Sequence, residues 1–145
     1  MKAFHFSLER VLEWHAAQLL VEEAELRRIG AQAVALERAA VSLDEARTAA
    51  ENGVRLLTPI SGSDLKALAA YRLTAEKRRQ MLLEKLIETQ KQVVAQRGRL
   101  MEARRKHRLV EKLRERRLTE WTMESNREIE QNAADSYLAK FNREK

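Results

Sequence analysis

The chain has 145 residues, of which 34% are charged, 44% apolar and 5% aromatic, with a formal net charge of +6. It contains no cysteine, which excludes disulfides and thiolate-based metal sites or catalysis. Ala, Leu, Glu, Arg and Lys dominate, the balance of long helices and coiled coils, and the regular recurrence of apolar residues argues against disorder.

The opening Met1-Lys2-Ala3-Phe4-His5-Phe6-Ser7-Leu8-Glu9-Arg10 lacks the uninterrupted apolar stretch of a signal peptide. No later stretch approaches the roughly 20 apolar residues needed to span a bilayer. A soluble, cytoplasmic protein without a transmembrane segment is the expectation. Ser7 can cap a first helix ahead of Leu8, with Glu9 in its first turn facing the positive end of the helix dipole.

That helix is expected over about 7–52. Leu8, Leu12, His15, Leu19, Glu22, Leu26, Ile29, Ala33, Leu36, Ala40 and Leu43 recur in steps of four and three, the a/d seam of a left-handed coiled coil. Residues 53–63 form the one clear break: they hold the only proline, Pro59, flanked by Gly53 and Gly62, and no such run continues a helix. Ser63 is the expected cap of a second helix over about 64–142, with Asp64 suiting its dipole. Its seam runs less cleanly through Leu82, Leu86, Thr89, Val93, Gln96, Leu100, Ala103, His107 and Val110, where a buried polar position can fix register. Gly30 and Gly98 each weaken a helix by on the order of 1 kcal/mol relative to alanine, unless a neighbouring backbone approaches closely there. The fold class is therefore all-α: one coiled-coil domain of two long helices in an antiparallel hairpin.

At 1.5 Å per residue the helices would measure about 70 and 120 Å, and paired residue numbers would sum to roughly 116. The second helix would then overhang the first from about residue 109. The overhang carries Leu113, Leu118, Trp121, Met123, Ile129, Tyr137, Leu138 and Phe141, an apolar surface in need of a partner. Trp121 lies beyond the reach of helix 1 in this scheme. The alternative is that it packs internally against Phe4 or Phe6.

Charge is uneven. Residues 1–63 carry 7 basic and 9 acidic side chains, net −2, and residues 64–145 carry 21 and 13, net +8. The basic excess peaks at Arg97, Arg99, Arg104, Arg105, Lys106, Arg108, Lys112, Arg114, Arg116 and Arg117, against Glu102, Glu111 and Glu115. Three readings compete for this run: a solvated helix face, a dock for an acidic protein surface, and, more weakly in the absence of a reading module, nucleic-acid binding.

No enzymatic chemistry is expected. His5, His15 and His107 fall in no helical zinc pattern, and there is no phosphate loop, dinucleotide fingerprint or nucleophile elbow. A two-helix rod also lacks the concave, water-poor pocket that tunes catalytic carboxylates. No catalytic residue, metal site or cofactor is expected.

The pattern Phe4-x-Phe6-x-Leu8-Glu9-x-Val11-Leu12 resembles the opening of the FliJ family of flagellar export proteins. So do the hinge and the longer basic second helix, and Glu111-Lys112-Leu113-Arg114-Glu115-Arg116-Arg117 followed by Glu120-Trp121 and Asn126-Arg127-Glu128 is similar to the family's later signature. The resemblance implies a stalk similar to that of rotary ATPases, cytoplasmic and peripherally associated with the inner-membrane export apparatus. Its partners would be the export ATPase ring, the export-gate membrane protein and substrate chaperones. Phe4, Phe6, Arg114, Arg117 and Trp121 are the candidate ring contacts. The resemblance places the gate contact at the start of helix 2, on Leu68, Tyr71 and Ala75. The alternatives are the matching stalk of a virulence-type secretion system, a basic coiled coil that binds nucleic acid, and a structural coiled coil that pairs with itself.

Overall fold

The computed structural model describes residues 2–144. Two helices, α1 (Glu9–Arg55) and α2 (Gly62–Arg143), pack against each other as an all-α hairpin, with no strand among the described residues. Two compact units are built from them, one of Met1–Leu20 with Met101–Lys145 (unit 1) and one of Val21–Leu100 (unit 2). No helix among the described residues is long and apolar enough to cross a membrane.

The heptad spacing translates directly into burial. Of the seam positions named above, every one in both helices is half-buried or buried, apart from Leu8 at the helix entry. Each residue three or four along returns to the same side of the helix, so the seam side chains meet the facing helix while their neighbours remain in water. The buried apolar set among the described residues is small, Phe6, Ile29, Ala75 and Leu100. Stability therefore comes from the seam along the helices and not from a deep centre.

In unit 2 two polar seam residues, Glu22 and Gln96, face each other. The Gln96 side chain is only 3% exposed. Its Nε2 donates to the Glu22 carbonyl at 3.2 Å and to the Glu22 carboxylate, so a buried amide meets both acceptors it needs. Thr89, also buried, donates its hydroxyl back to the Lys85 carbonyl at 2.8 Å, a bond that a helix offers to threonine at four residues' remove.

Toward the turn, the same spacing puts Arg72 and Arg79 on the seam. Their guanidinium groups reach to its edge, Arg72 Nε to Glu51 at 2.9 Å and Arg79 Nε to Asp44 at 3.4 Å, with Arg47 to Glu76 at 3.6 Å beside them. These pairs are half open to water and each contributes at most about 1 kcal/mol.

The break is shorter than the expected 53–63. Helix α1 runs on through Gly53 to Arg55, whose charge suits the helix C-terminus, and the Leu57 amide closes the last turn on the Val54 carbonyl at 3.1 Å. The cap of α2 is Ser61, not the expected Ser63. Ser61 Oγ accepts from the Asp64 amide at 3.2 Å, while Asp64 Oδ2 accepts from the Ser61 amide at 3.0 Å and from its hydroxyl at 2.7 Å. Serine at the cap and a carboxylate three residues on satisfy two orphan amides reciprocally. Those bonds hold the Asp64 carboxyl below its ordinary pKa, first through the Ser61 hydroxyl and then through its amide.

A Cβ built on Gly30 or Gly98 meets nothing within 4 Å. Neither glycine marks a close approach within the chain.

Candidate partner-binding site around Trp121

Residues 2–8, ahead of α1, are not helical. Phe4 and Phe6 are turned inward while Ala3, His5 and Ser7 are exposed, the two-residue alternation of an extended segment. The Glu9 amide, donating to the Phe6 carbonyl at 3.2 Å, turns the chain from this strap into α1.

The strap lies along α2. The Phe4 and Trp121 rings are tilted at 58° with centroids 6.0 Å apart, within the range of favourable aromatic pairs. Trp121 Nε1 donates to the Lys2 carbonyl at 3.3 Å, so the indole has both an apolar neighbour and a partner for its N–H. Phe6, 6% exposed, anchors the strap. Trp121 is consequently half-buried: it packs internally against Phe4, the alternative the sequence left open, and is not bare beyond the reach of α1. An extended chain advances more than twice as far per residue as a helix. A few strap residues thus cover the stretch of α2 that helical spacing left bare, and the overhang starts beyond Trp121 instead of at 109.

Between strap and helix is an open cleft of about 620 Å³ lined by Phe4, Phe6, Arg117, Glu120, Trp121 and Glu124 among others. Among the described residues Arg117 pairs with Glu120, one turn along, at 3.3 Å, and it is exposed at the edge of the cleft. Arg114 is outside the cleft lining and holds Glu9 at 3.1 Å. Its role is to tie the start of α1 to α2. Of the five candidate ring contacts, four therefore line one cleft, with Phe6 as its floor and Phe4, Arg117 and Trp121 as its accessible walls. An aromatic wall flanked by a guanidinium and two carboxylates can hold a partner's apolar side chain while steering its charge.

On the outward side of α2 in unit 1, Arg105, Arg108, Lys112 and Arg116 follow one another at steps of three and four, exposed and without an ion pair among the described residues. The three candidate gate contacts lie in unit 2 and differ in access. Ala75 is 4% exposed in the seam, Leu68 is half-buried, and Tyr71 is 36% exposed beside it. Only Tyr71 offers a sizeable surface without the helices parting. Among the described residues no group of three His, Asp or Glu side chains is placed to hold a metal ion.

Sequence reasoning missed the Lys2 carbonyl, the Glu9–Arg114 pair and the Gln96–Glu22 pair. The alternation of Phe4 and Phe6 before a helix start was the signal for the first. No protein-family model, curated protein or solved structure matches the chain.

Proposed function

We propose that the chain is a stalk and adaptor of the flagellar type III protein export apparatus, cytoplasmic and held at the inner membrane through its partners. Unit 1 inserts into the export ATPase ring, and Tyr71 marks the surface that contacts the export gate. Escort of substrate chaperones belongs to the same role. The observation that carries the proposal is the joining of the family-like opening, Phe4 and Phe6, to Trp121 and Arg117 in one accessible cleft. A protein that must seat in a ring needs such an aromatic anchor with charge around it.

The test is Arg117→Glu. Its side chain is exposed and its ion pair is with Glu120 on the same helix, so helicity and melting temperature stay as they are while affinity for the purified export ATPase falls about tenfold or more. Unchanged affinity removes the cleft from the interface.

One observation favours a second reading. The unpaired stripe Arg105–Arg108–Lys112–Arg116 is of the kind that attracts phosphates. Under that reading Arg108→Glu weakens duplex DNA binding about tenfold and lowers its salt dependence, and it leaves ATPase affinity untouched.

A further inference from the structure

Each helix of unit 2 carries a second strip, displaced from its seam by one residue. On α1 the seam residues Ile29, Ala33 and Ala40 are followed by Gly30, Val34 and Val41. On α2 Leu82, Leu86 and Val93 are followed by Leu83, Ile87 and Val94. One residue is about 100° of rotation, so each strip lies on a shoulder of its helix and keeps the spacing of a coiled-coil seam. Because the helices run in opposite directions, the two shoulders share one broad face of the hairpin, where Asp44 meets Arg79 and Glu76 meets Arg47 nearer the turn. Val34, Val41, Leu83, Ile87 and Val94 are between 38% and 68% exposed there. The opposite shoulder, one residue before each seam, is instead lined by Gln32, Ser42, Lys85 and Glu88 among others. Apolar residues at seam spacing on one shoulder of both helices form a surface shaped for a partner that is itself two helices wide.

We infer that this face pairs with the same face of a second copy turned end for end, giving a four-helix bundle in which each helix lies antiparallel to its own counterpart. Charge selects that occupant. Arg27 and Glu37 belong to the α1 strip, and Glu84 and Lys91 flank the α2 strip on its outer edge. All four are exposed and without an ion pair among the described residues. A two-fold axis across the face exchanges the two ends of each strip. Crossing α1 at residue 32, it sets Glu37 opposite Arg27 of the second copy. Crossing α2 at about residue 88, it sets Glu84 beside Lys91 of the second copy. One axis must do both, so the two levels have to coincide. They do: Gln96 meets Glu22 and Arg79 meets Asp44, and interpolation between these contacts puts residue 32 level with about residue 88. The charges of the two helices thus give the same axis independently. That axis also lays Val34 over Gly30 of the second copy, where an added side chain finds open space in the chain itself, and Leu83 over Val94. Every contact occurs twice, as a closed dimer requires. Helices with this spacing pack at about 20°, and two helix pairs over about four turns cover on the order of 1,200 Å² in total, the lower edge of stable interfaces. Association is accordingly set by concentration.

Sedimentation equilibrium of the full chain between about 10 µM and 1 mM tests the inference, with circular dichroism to verify helix content. The wild type shifts from monomer to dimer across that range. Ile87→Glu, at a position open to water in the single chain, keeps its helix content and stays monomeric. Glu84→Lys and Lys91→Glu each weaken the dimer about tenfold, because each sets like charges beside one another twice. The double variant Glu84→Lys/Lys91→Glu, which restores opposite charges, returns to within about threefold of wild type. A wild type that remains monomeric at about 1 mM overturns the inference. So does a dimer indifferent to Ile87→Glu, which is held elsewhere. A double variant no better than the single ones overturns the end-for-end pairing.

Discussion

Truncating Gln96 to alanine removes the most buried polar side chain of the seam together with its two bonds to Glu22. A hydrogen bond to a charged group contributes about 1.5–3 kcal/mol, and each lost buried methylene adds about 0.8 kcal/mol. Gln96→Ala should therefore destabilise the chain by on the order of 3 kcal/mol. Gln96→Leu loses the same bonds but fills the space with an apolar side chain worth about 2 kcal/mol on burial. The Glu22 carboxylate, only half-buried, can turn to water. That variant should come within about 1 kcal/mol of wild type. Urea denaturation followed at 222 nm measures both, with the slope checked for constancy so that the change is one of stability. A double-mutant cycle with Glu22→Ala isolates the pair, with an expected coupling of about 1.5 kcal/mol or more. If Gln96→Ala costs less than about 1 kcal/mol, or the cycle shows no coupling, the amide is not packed between the helices and the register described for unit 2 is wrong.

Trp121→Ala strips the strap of its landing point and should lower stability by about 2 kcal/mol, with Phe6→Ala costing about 3 kcal/mol, both read by denaturation. A Trp121→Ala protein as stable as wild type would return the indole to an unpacked overhang. Gly30→Ala and Gly98→Ala, where an added Cβ meets open space, should each stabilise by about 1 kcal/mol, visible as a raised urea midpoint. The Asp64 carboxyl, depressed by the Ser61 hydroxyl and amide, should titrate below its ordinary 3.8 by carbon-detected NMR. A depressed folded pKa stabilises above the unfolded value, so the cap's contribution is present from about pH 5 upward and is lost as pH falls through the folded value. Ser61→Ala should return the titration to the ordinary range and destabilise by about 1 kcal/mol.

The pairing of the helices was legible in the sequence because the seam repeats in steps of four and three from Leu12 to Leu43 and from Leu82 to Val110. Burial follows that spacing even at Glu22, Thr89 and Gln96, where residue type alone argues against it. Register was less legible. Glu9 with Arg114, Asp44 with Arg79 and Glu51 with Arg72 each sum to 123, and Glu22 with Gln96 sums to 118, all above the expected 116. Side chains lean toward the N-terminus of their own helix, so in an antiparallel pair a contact joins residues further along both chains than equal backbone rise implies. The cap was misplaced by two residues because Ser61 and Ser63 are both good caps, and only Ser61 has a carboxylate three residues on. The cleft was partly visible in its residue types but not in its geometry. Its formation depends on residues 2–6 running extended, and five residues are too few to show a period unambiguously.

The proposed function is tested most directly by titrating the full chain against the assembled export ATPase and, in parallel, against random duplex DNA at about 50 and 200 mM salt. A ring-seated stalk predicts saturable binding to the ATPase that survives the higher salt, with weak DNA binding. Affinity for DNA that falls steeply with salt, together with no detectable binding to the ATPase, would contradict it.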